Sequence, residues 1–476
     1  MKILLINPPF KNVLMAETPK FVNENRGYNP PMGIISIATC INASTNHEAE
    51  VLDAQLLEMD YGDIKKELER VKPEIIGMAA LTFTLLDTLH MAKIVKEINP
   101  NIKIVFGGPH ATMFPYETIK QDAVDMVVIG EGERTFPELV ENIRDEGKLR
   151  KVNGLMFKDK KGEVVVTPPR ELIQDLDKIP IPDRTLTPYK KYSSVLAKRN
   201  PLTTMITSRG CPFRCTFCDR PQAGGKSWRA RSPKLVVDEM EQIKNLGINE
   251  ILFYDDTWTM DMKRAEEICN EILRRKLDMV WDIRTRVDRV TPELIELMKK
   301  AGCHRINFGV ESGTEEGLKT IKKEVNLEKV EKAFRICKKV GMETLGYLMI
   351  GLPGETREQM MQTIKFAKKV KPNFCHFTVF TPFPDTEVWR NLLEKGDKSV
   401  AECWRSYAQN PTEAFDPPTA NEYLSKKELF DVCNFAYKSF YFRPSYILKE
   451  LSRVRSVGEF ARKTKAGFKM LVSQEG

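Results

Sequence analysis

The chain has 476 residues, 42% of them hydrophobic and 29% charged, the proportions of an ordinary globular protein of two to four domains. No apolar run is long enough to span a bilayer, and residues 1–9 hold too short an apolar stretch for a secretion signal, so the expected compartment is the cytoplasm. Lys and Arg exceed Asp and Glu by 74 to 66, a formal +8, and ten cysteines without a secretion signal read as reduced thiols or metal ligands rather than disulfides.

Residues 1–145 alternate short apolar runs with amphipathic stretches. Strands are expected at Lys2–Ile6, Glu50–Asp53, Glu74–Ala79, Ile102–Phe106 and Asp125–Ile129, with helices at Ile34–Ile41, Asp63–Val71 and Leu85–Ile98. That alternation predicts a doubly wound parallel sheet, whose ligands lie beyond the carboxyl ends of the strands. Those ends carry Asn7-Pro8-Pro9, Thr82 and Thr84, Gly107-Gly108-Pro109-His110 and Gly130-Glu131-Gly132. No G-x-G-x-x-G opens the first helix, which disfavours a dinucleotide.

Residues 146–200 read as a linker, with a small hairpin at Lys151–Phe157 and Glu163–Thr167 and then prolines that exclude long elements. A second alternating series fills residues 201–390. Its strands are expected at Thr203–Thr207, Glu250–Tyr254, Met279–Arg284, Arg305–Phe308, Glu343–Ile350 and Phe374–Phe380. Six strand–helix units predict a partial (β/α)6 barrel with its chemistry on the loops after the strands. Residues 391–476 read as a small, mainly helical region. From Lys438 onward it holds nine Lys or Arg against three Glu, and the run Phe435–Leu448 mixes aromatics with cations. Two readings of that run stand: a helical cap on the barrel, or a peripheral contact with a membrane surface. Nucleic acid is disfavoured, because no known binding module is present.

The loop after the first barrel strand holds Cys211, Cys215 and Cys218, spaced C-x3-C-x2-C. Three close thiolates suit three irons of a cubane cluster, whereas structural zinc wants four ligands and the next cysteine downstream is Cys269. Asp282, Arg284 and Arg286 alternate along one strand and share a face.

This cysteine loop, with Phe217 before its last cysteine, resembles the radical S-adenosylmethionine (SAM) signature. The whole region from residue 1 to about 390 is similar to the cobalamin-domain radical SAM class, which includes anaerobic magnesium-protoporphyrin monomethyl ester cyclase and carbon methylases. The resemblance implies a [4Fe–4S] cluster on the three cysteines, chelated at its open iron by SAM. It implies reductive cleavage of SAM to a 5′-deoxyadenosyl radical that abstracts hydrogen from an unactivated carbon, an electron donor of flavodoxin or ferredoxin type, and an apolar or amphipathic small-molecule substrate. By the same resemblance Phe217, Asp255, Asp256, Arg284, Arg286, Glu311, Ser312, Gly351 and Leu352 would surround SAM. Asn7, Pro8, Pro9, Thr82, Thr84, Gly107, Gly108, Pro109, His110, Gly130, Glu131 and Gly132 would surround cobalamin. His47, His90 and His110 lack the D-x-H-x-x-G context, so cobalamin would bind without a histidine on cobalt. In the turn Thr381–Thr386 the family's glycine is replaced by Asp385. Methyl transfer and oxidative cyclisation both remain open as outcomes. A non-enzymatic electron carrier is the rival of another class. A methylthiotransferase is disfavoured, because the N-terminal region holds only Cys40.

Overall fold

Five buried apolar runs build the centre of an N-terminal sheet: β1 (Lys2–Asn7), β2 (Glu48–Asp53), β3 (Ile75–Ala79), β4 (Lys103–Gly107) and β5 (Met126–Val128). The structure is a computed structural model, which describes residues 1–14, 18, 27–219, 225, 227–394 and 398–451. These five strands are parallel, in the order β2-β1-β3-β4-β5. Both faces are covered, as continuous apolar strands require. Leu4, Ile6, Ile76, Met78 and Phe106 pack toward helix Leu85–Ile98, while Ile3, Leu5, Ile75 and Val105 pack toward helices Met32–Ser44 and Gly132–Asn142. The strand order reverses direction between β1 and β3. The carboxyl-edge loops on one side of that switch point, after β3, β4 and β5, carry Thr82, Gly108 and Gly130.

The hairpin within the connector is not a free-standing linker. β6 (Leu155–Lys158) pairs antiparallel with β5, and β7 (Val164–Val166) pairs with β6. The sheet therefore runs past residue 145, because short β5 presents an open edge of unpaired backbone groups.

β8 (Leu202–Met205) opens the second sheet. A two-stranded ribbon, β9 (Ser208–Arg209) and β10 (Arg229–Ala230), brackets the cysteine loop. Then follow β11 (Glu250–Phe253), β12 (Val280–Thr285), β13 (Cys303–Glu311), β14 (Glu343–Ile350) and β15 (Phe374–Val379). The six long strands are parallel and lie in the order β8-β11-β12-β13-β14-β15, an open arc. Ile251, Phe253, Trp281, Ile283, Ile306, Phe308 and Phe377 point outward into one core with the helices. By alternation Asp282, Arg284, Arg305, Asn307, Tyr347 and His376 point into the lumen. The helices begin on residues whose side chains cap them, among them Ser232, Asp261, Thr291, Asn326 and Thr356.

The C-terminal region closes both sheets. Helix Lys398–Gln409 sends Trp404, Tyr407 and Ala408 into the N-terminal core, beside Phe83, Phe383 and Phe415. Helix Lys426–Tyr441 lies on β15, the open edge of the barrel. There the Tyr437 hydroxyl accepts from the Phe377 amide at 3.1 Å and the Tyr441 hydroxyl from the Cys375 amide at 2.9 Å. The aromatic run read as a membrane contact thus has Tyr437 and Phe440 buried against the barrel. The basic residues from 452 onward lie outside the described residues. Among the described residues no helix is long and apolar enough to cross a membrane.

Candidate active site

The cysteine loop is held at its entry, middle and exit. At the entry, fully buried Asp255 accepts from the Thr207 amide and hydroxyl, both at 2.7 Å, and from the Ser208 hydroxyl at 2.6 Å. Arg264 donates to the Thr207 carbonyl at 3.1 Å. In the middle, Phe213 lies under the Arg286 guanidinium, 3.7 Å from it. Toward the exit, the Thr216 amide donates to the Ile321 carbonyl and the Thr216 carbonyl accepts from the Val388 amide, both at 3.0 Å. Cys211, Cys215 and Cys218 are half-buried and in no disulfide; the other cysteines are buried, except Cys403. Burial pushes the Cys215 thiol up, and Lys323 and Arg286 pull against it.

The N-terminal sheet reaches this loop directly. The Glu131 carboxylate accepts from Arg209 at 2.9 Å, from Arg229 at 3.0 Å and from the Ile173 amide at 2.7 Å; Arg209 also pairs with Glu133. Burial pushes the Glu131 carboxyl up, but Arg229 and Arg209 outweigh it and hold it below the usual carboxylate range. Arg209 stands two residues before Cys211. This clamp is absent from the sequence reading. Its only sequence signal is the pair of arginines flanking a cysteine loop and the paired glutamates after β5.

Several expected cofactor residues have other partners. Asp255 braces the loop with both carboxylate oxygens; half-buried Asp256 is the member of that pair nearer solvent. Arg286 is held by Asp288 at 2.9 and 3.2 Å and by the Lys323 carbonyl at 2.7 Å. Buried Ser312 accepts from the Thr314 amide at 3.2 Å, at the start of a helix. Glu131 is the clamp just described, and a Cβ at Gly132 would meet Ile37 at 2.9 Å, so this glycine serves helix packing. The Asn7 amide is engaged by Asp53 at 2.7 Å and Gln55 at 3.2 Å, and Pro8 and Pro9 are buried. Thr84 is buried, and its carbonyl accepts from Thr88 at 2.8 Å. For Asp255, Arg286, Ser312, Glu131 and Asn7 the side chain satisfies a nearby protein group, which spacing along the chain does not reveal.

The remaining candidates gather at the strand ends. Half-buried Arg284 stacks on Tyr254 at 3.6 Å and donates to the Phe253 carbonyl at 3.0 Å. Glu311 ends β13 at φ 70, a conformation costly to a non-glycine residue, and is bound to Lys323 at 2.8 Å. Gly351 turns at φ 85, and its amide and that of Leu352 donate to Glu355 at 2.8 and 3.0 Å. Phe217 packs on the apolar cluster of Leu352, Met349 and Phe380.

The donor set fits an iron–sulfur cubane. Among the described residues no three His, Cys, Asp or Glu converge on one metal ion, and a cubane places each thiolate on a different iron. The carboxyl edge of the N-terminal sheet offers a polar group and open backbone to a polar-edged ligand. His110 is buried with Nδ1 3.0 Å from the Thr82 hydroxyl, while its Nε2 has no hydrogen-bond partner. Gly108 turns at φ 91, where a Cβ would press on the Ala80 carbonyl at 3.1 Å, and Gly130 is exposed with open space at its Cβ.

Known proteins match both halves of the chain. The B12 binding domain profile matches residues 20–140, and the Radical SAM superfamily profile matches residues 205–367. An uncharacterized methyltransferase of Pyrococcus horikoshii is 36% identical over 453 residues, 95% of each chain. The anaerobic magnesium-protoporphyrin IX monomethyl ester cyclase of Rubrivivax gelatinosus is 30% identical over 434 residues, 89% of this chain and 76% of that one. Among solved structures, the cobalamin-dependent S-adenosylmethionine radical enzyme OxsB superposes with a TM-score of 0.74 over 99% of this chain and 72% of that one, at 18% identity, a likeness of fold. The chain belongs to the radical SAM superfamily, in the class whose barrel follows a B12 binding domain. Its relatives include proteins named methyltransferases and magnesium-protoporphyrin IX monomethyl ester cyclases, and the chain is an enzyme.

Proposed function

We propose that the protein transfers a methyl group from SAM to an unactivated carbon of an amphipathic small molecule. Cys211, Cys215 and Cys218 would hold a [4Fe–4S] cluster, and the carboxyl edge of the N-terminal sheet a cobalamin without a histidine on cobalt. The observation that carries this reading is the junction of the two sites: Glu131 and Glu133 of the B12-binding-type sheet grip Arg209 and Arg229 on either side of the cysteine loop. When bound, the cluster supplies the electron that splits SAM, and the corrin supplies a carrier for the methyl group.

The chain's own residues bind, orient and exclude water. Asp256 would meet the SAM amino group and Arg284 its carboxylate, as a cation without a carboxylate of its own among the described residues. Glu311 would meet the ribose, with Gly351, Leu352 and Phe217 beside the adenine. Thr82, Gly107, Gly108, Pro109, His110 and Gly130 would border the corrin and its tail. Burial holds the His110 pKa down at about 3, so its imidazole would meet a corrin amide as a neutral group. In the lumen Tyr347 and His376 stand at one level, with Leu345 and Phe374 at the next, a mix suited to an amphipathic substrate. The electron would come from a flavodoxin- or ferredoxin-type donor.

Anaerobic turnover tests this. The reconstituted chain is given hydroxocobalamin, dithionite, methyl-labelled SAM and a small-molecule extract. The expected result is 5′-deoxyadenosine together with a labelled product. An intact cluster that yields no 5′-deoxyadenosine would refute the reading. The 30% identity to the cyclase favours a second reading, oxidative cyclisation. It predicts 5′-deoxyadenosine with an oxidised, unlabelled product.

A further inference from the structure

We infer that Arg286 and Asp288 form a charge pair that sets the reduction potential of the cluster held by Cys211, Cys215 and Cys218. The inference rests on the cluster assignment above and goes beyond it by giving two residues opposite effects.

Arg286 follows the end of β12 and is 5% exposed. Its guanidinium is fixed from every side. Asp288 accepts from Nε and Nη2 on one edge, at 2.9 and 3.2 Å. The Lys323 carbonyl accepts from Nη2 at 2.7 Å. Phe213, between the first two cysteines, lies 3.7 Å from the guanidinium carbon. What remains is Nη1, on the side away from the carboxylate, and it points at the Cys215 sulfur at 3.9 Å. The other cation of the site, Lys323, also acts on Cys215, but it is paired with Glu311 at 2.8 Å, and Arg286 is the one whose N–H reaches a cysteine sulfur. Arg289 lies farther off, 5.2 Å from the Phe213 ring.

Reduction adds one electron to the cluster, taken from the external donor, with no bond made or broken in the protein. Buried charge interactions are strong, and net charge and hydrogen bonds to the sulfurs are what tune such a potential. A cation and an N–H donor beside a ligating sulfur favour the more negative, reduced form. Asp288 opposes that effect from the far side of the same guanidinium. Arg286 is thus a positioning residue, acting through Phe213 and Cys215 rather than on substrate.

The test is an EPR-monitored redox titration of the anaerobically reconstituted full chain, with iron and sulfide assayed on each sample. Arg286→Gln should lower the midpoint potential, and Arg286→Lys should recover part of the shift. Asp288→Asn should raise the potential at full iron content, since Arg286 keeps its charge and loses its counter-ion. Shifts of Arg286→Gln and Asp288→Asn in the same direction would overturn the inference, as would unchanged potentials. If Arg286→Gln fails to hold iron, the signs of Arg286→Lys and Asp288→Asn decide. A wild-type chain that takes up no cluster overturns the cluster assignment itself, which iron analysis shows separately from any shift.

Discussion

Arg284 lies on β12 and Arg286 just past its end, two residues apart, yet their neighbours separate them. Arg284 has a ring, a backbone carbonyl and the lumen, whereas Arg286 has a carboxylate, a carbonyl, a ring and a sulfur. The cysteines divide in the same way. Replacing Cys211, Cys215 or Cys218 with Ala should abolish iron–sulfur absorbance, while Cys269→Ala, in the barrel core, should retain it; equal loss in both would place the cluster elsewhere. Asp385 shows why the family's glycine is dispensable in its turn. It sits at φ 60, a conformation that Asp tolerates better than most residues, with its carboxylate on Arg390 at 2.7 Å. Glu355 carries a pH prediction. It is buried, one oxygen has no partner, and burial pushes its pKa up from 4.5 to about 7. An acid with a raised folded pKa is no burden below its unfolded pKa. Stability is then lost as pH rises from about 4.5 to about 7, by about 3 kcal/mol at 1.36 kcal/mol per pKa unit. Denaturant midpoints should therefore fall across that window in the wild type and stay flatter in Glu355→Gln. A parallel fall in both would exclude Glu355 as the cause.

Strand β15 is an element whose exposure decides the barrel's integrity. A six-strand arc has an edge, and an edge strand needs cover. Helix Lys426–Tyr441 supplies it with two tyrosines one turn apart, each hydroxyl accepting from an amide of β15 and donating to the carbonyl of the same residue. Tyr437→Phe removes a partner from buried backbone groups and should cost about 1–3 kcal/mol. Tyr441→Phe should cost a similar amount. Chemical denaturation measures the loss, and hydrogen exchange should rise first at residues 374–379. Unchanged exchange there would mean that packing by Phe440 covers the edge by itself. A helical C-terminal region was legible in the sequence, but not its target, because an unpaired edge is a property of the assembled sheet.

At the scale of the molecule, the two sheets are joined where the chemistry lies. Glu131 is the centre of the junction, with Arg229 buried against it. Glu131→Gln leaves the Arg229 cation short of its counter-charge, a loss of about 3–5 kcal/mol when a buried pair is broken. We expect faster hydrogen exchange over residues 207–219 and faster proteolysis between 167 and 200, with Arg209 still tethered by Glu133. Unaltered exchange over the cysteine loop would show that Asp255 and Arg264 suffice to hold it. Tyr192, which joins the connector to Asp53 at 2.7 Å, and Trp404, buried in the N-terminal core, tie the same two halves elsewhere. The connector is therefore structural, with its hairpin on the first sheet and its later turns against the second.

The sequence by itself determined the two alternating series, the carboxyl-edge loops and the three-cysteine spacing. Each is a local pattern, written in apolar period, turn residues and ligand spacing over a few residues. Only the tertiary structure decided which polar side chains are available to a ligand. Asp255, Arg286, Ser312 and Glu131 match the pattern of cofactor residues in the chain, and each is engaged by residues between 2 and 98 positions away. A buried charge or hydroxyl must find a partner, and partners are chosen by proximity in space, which linear spacing does not encode.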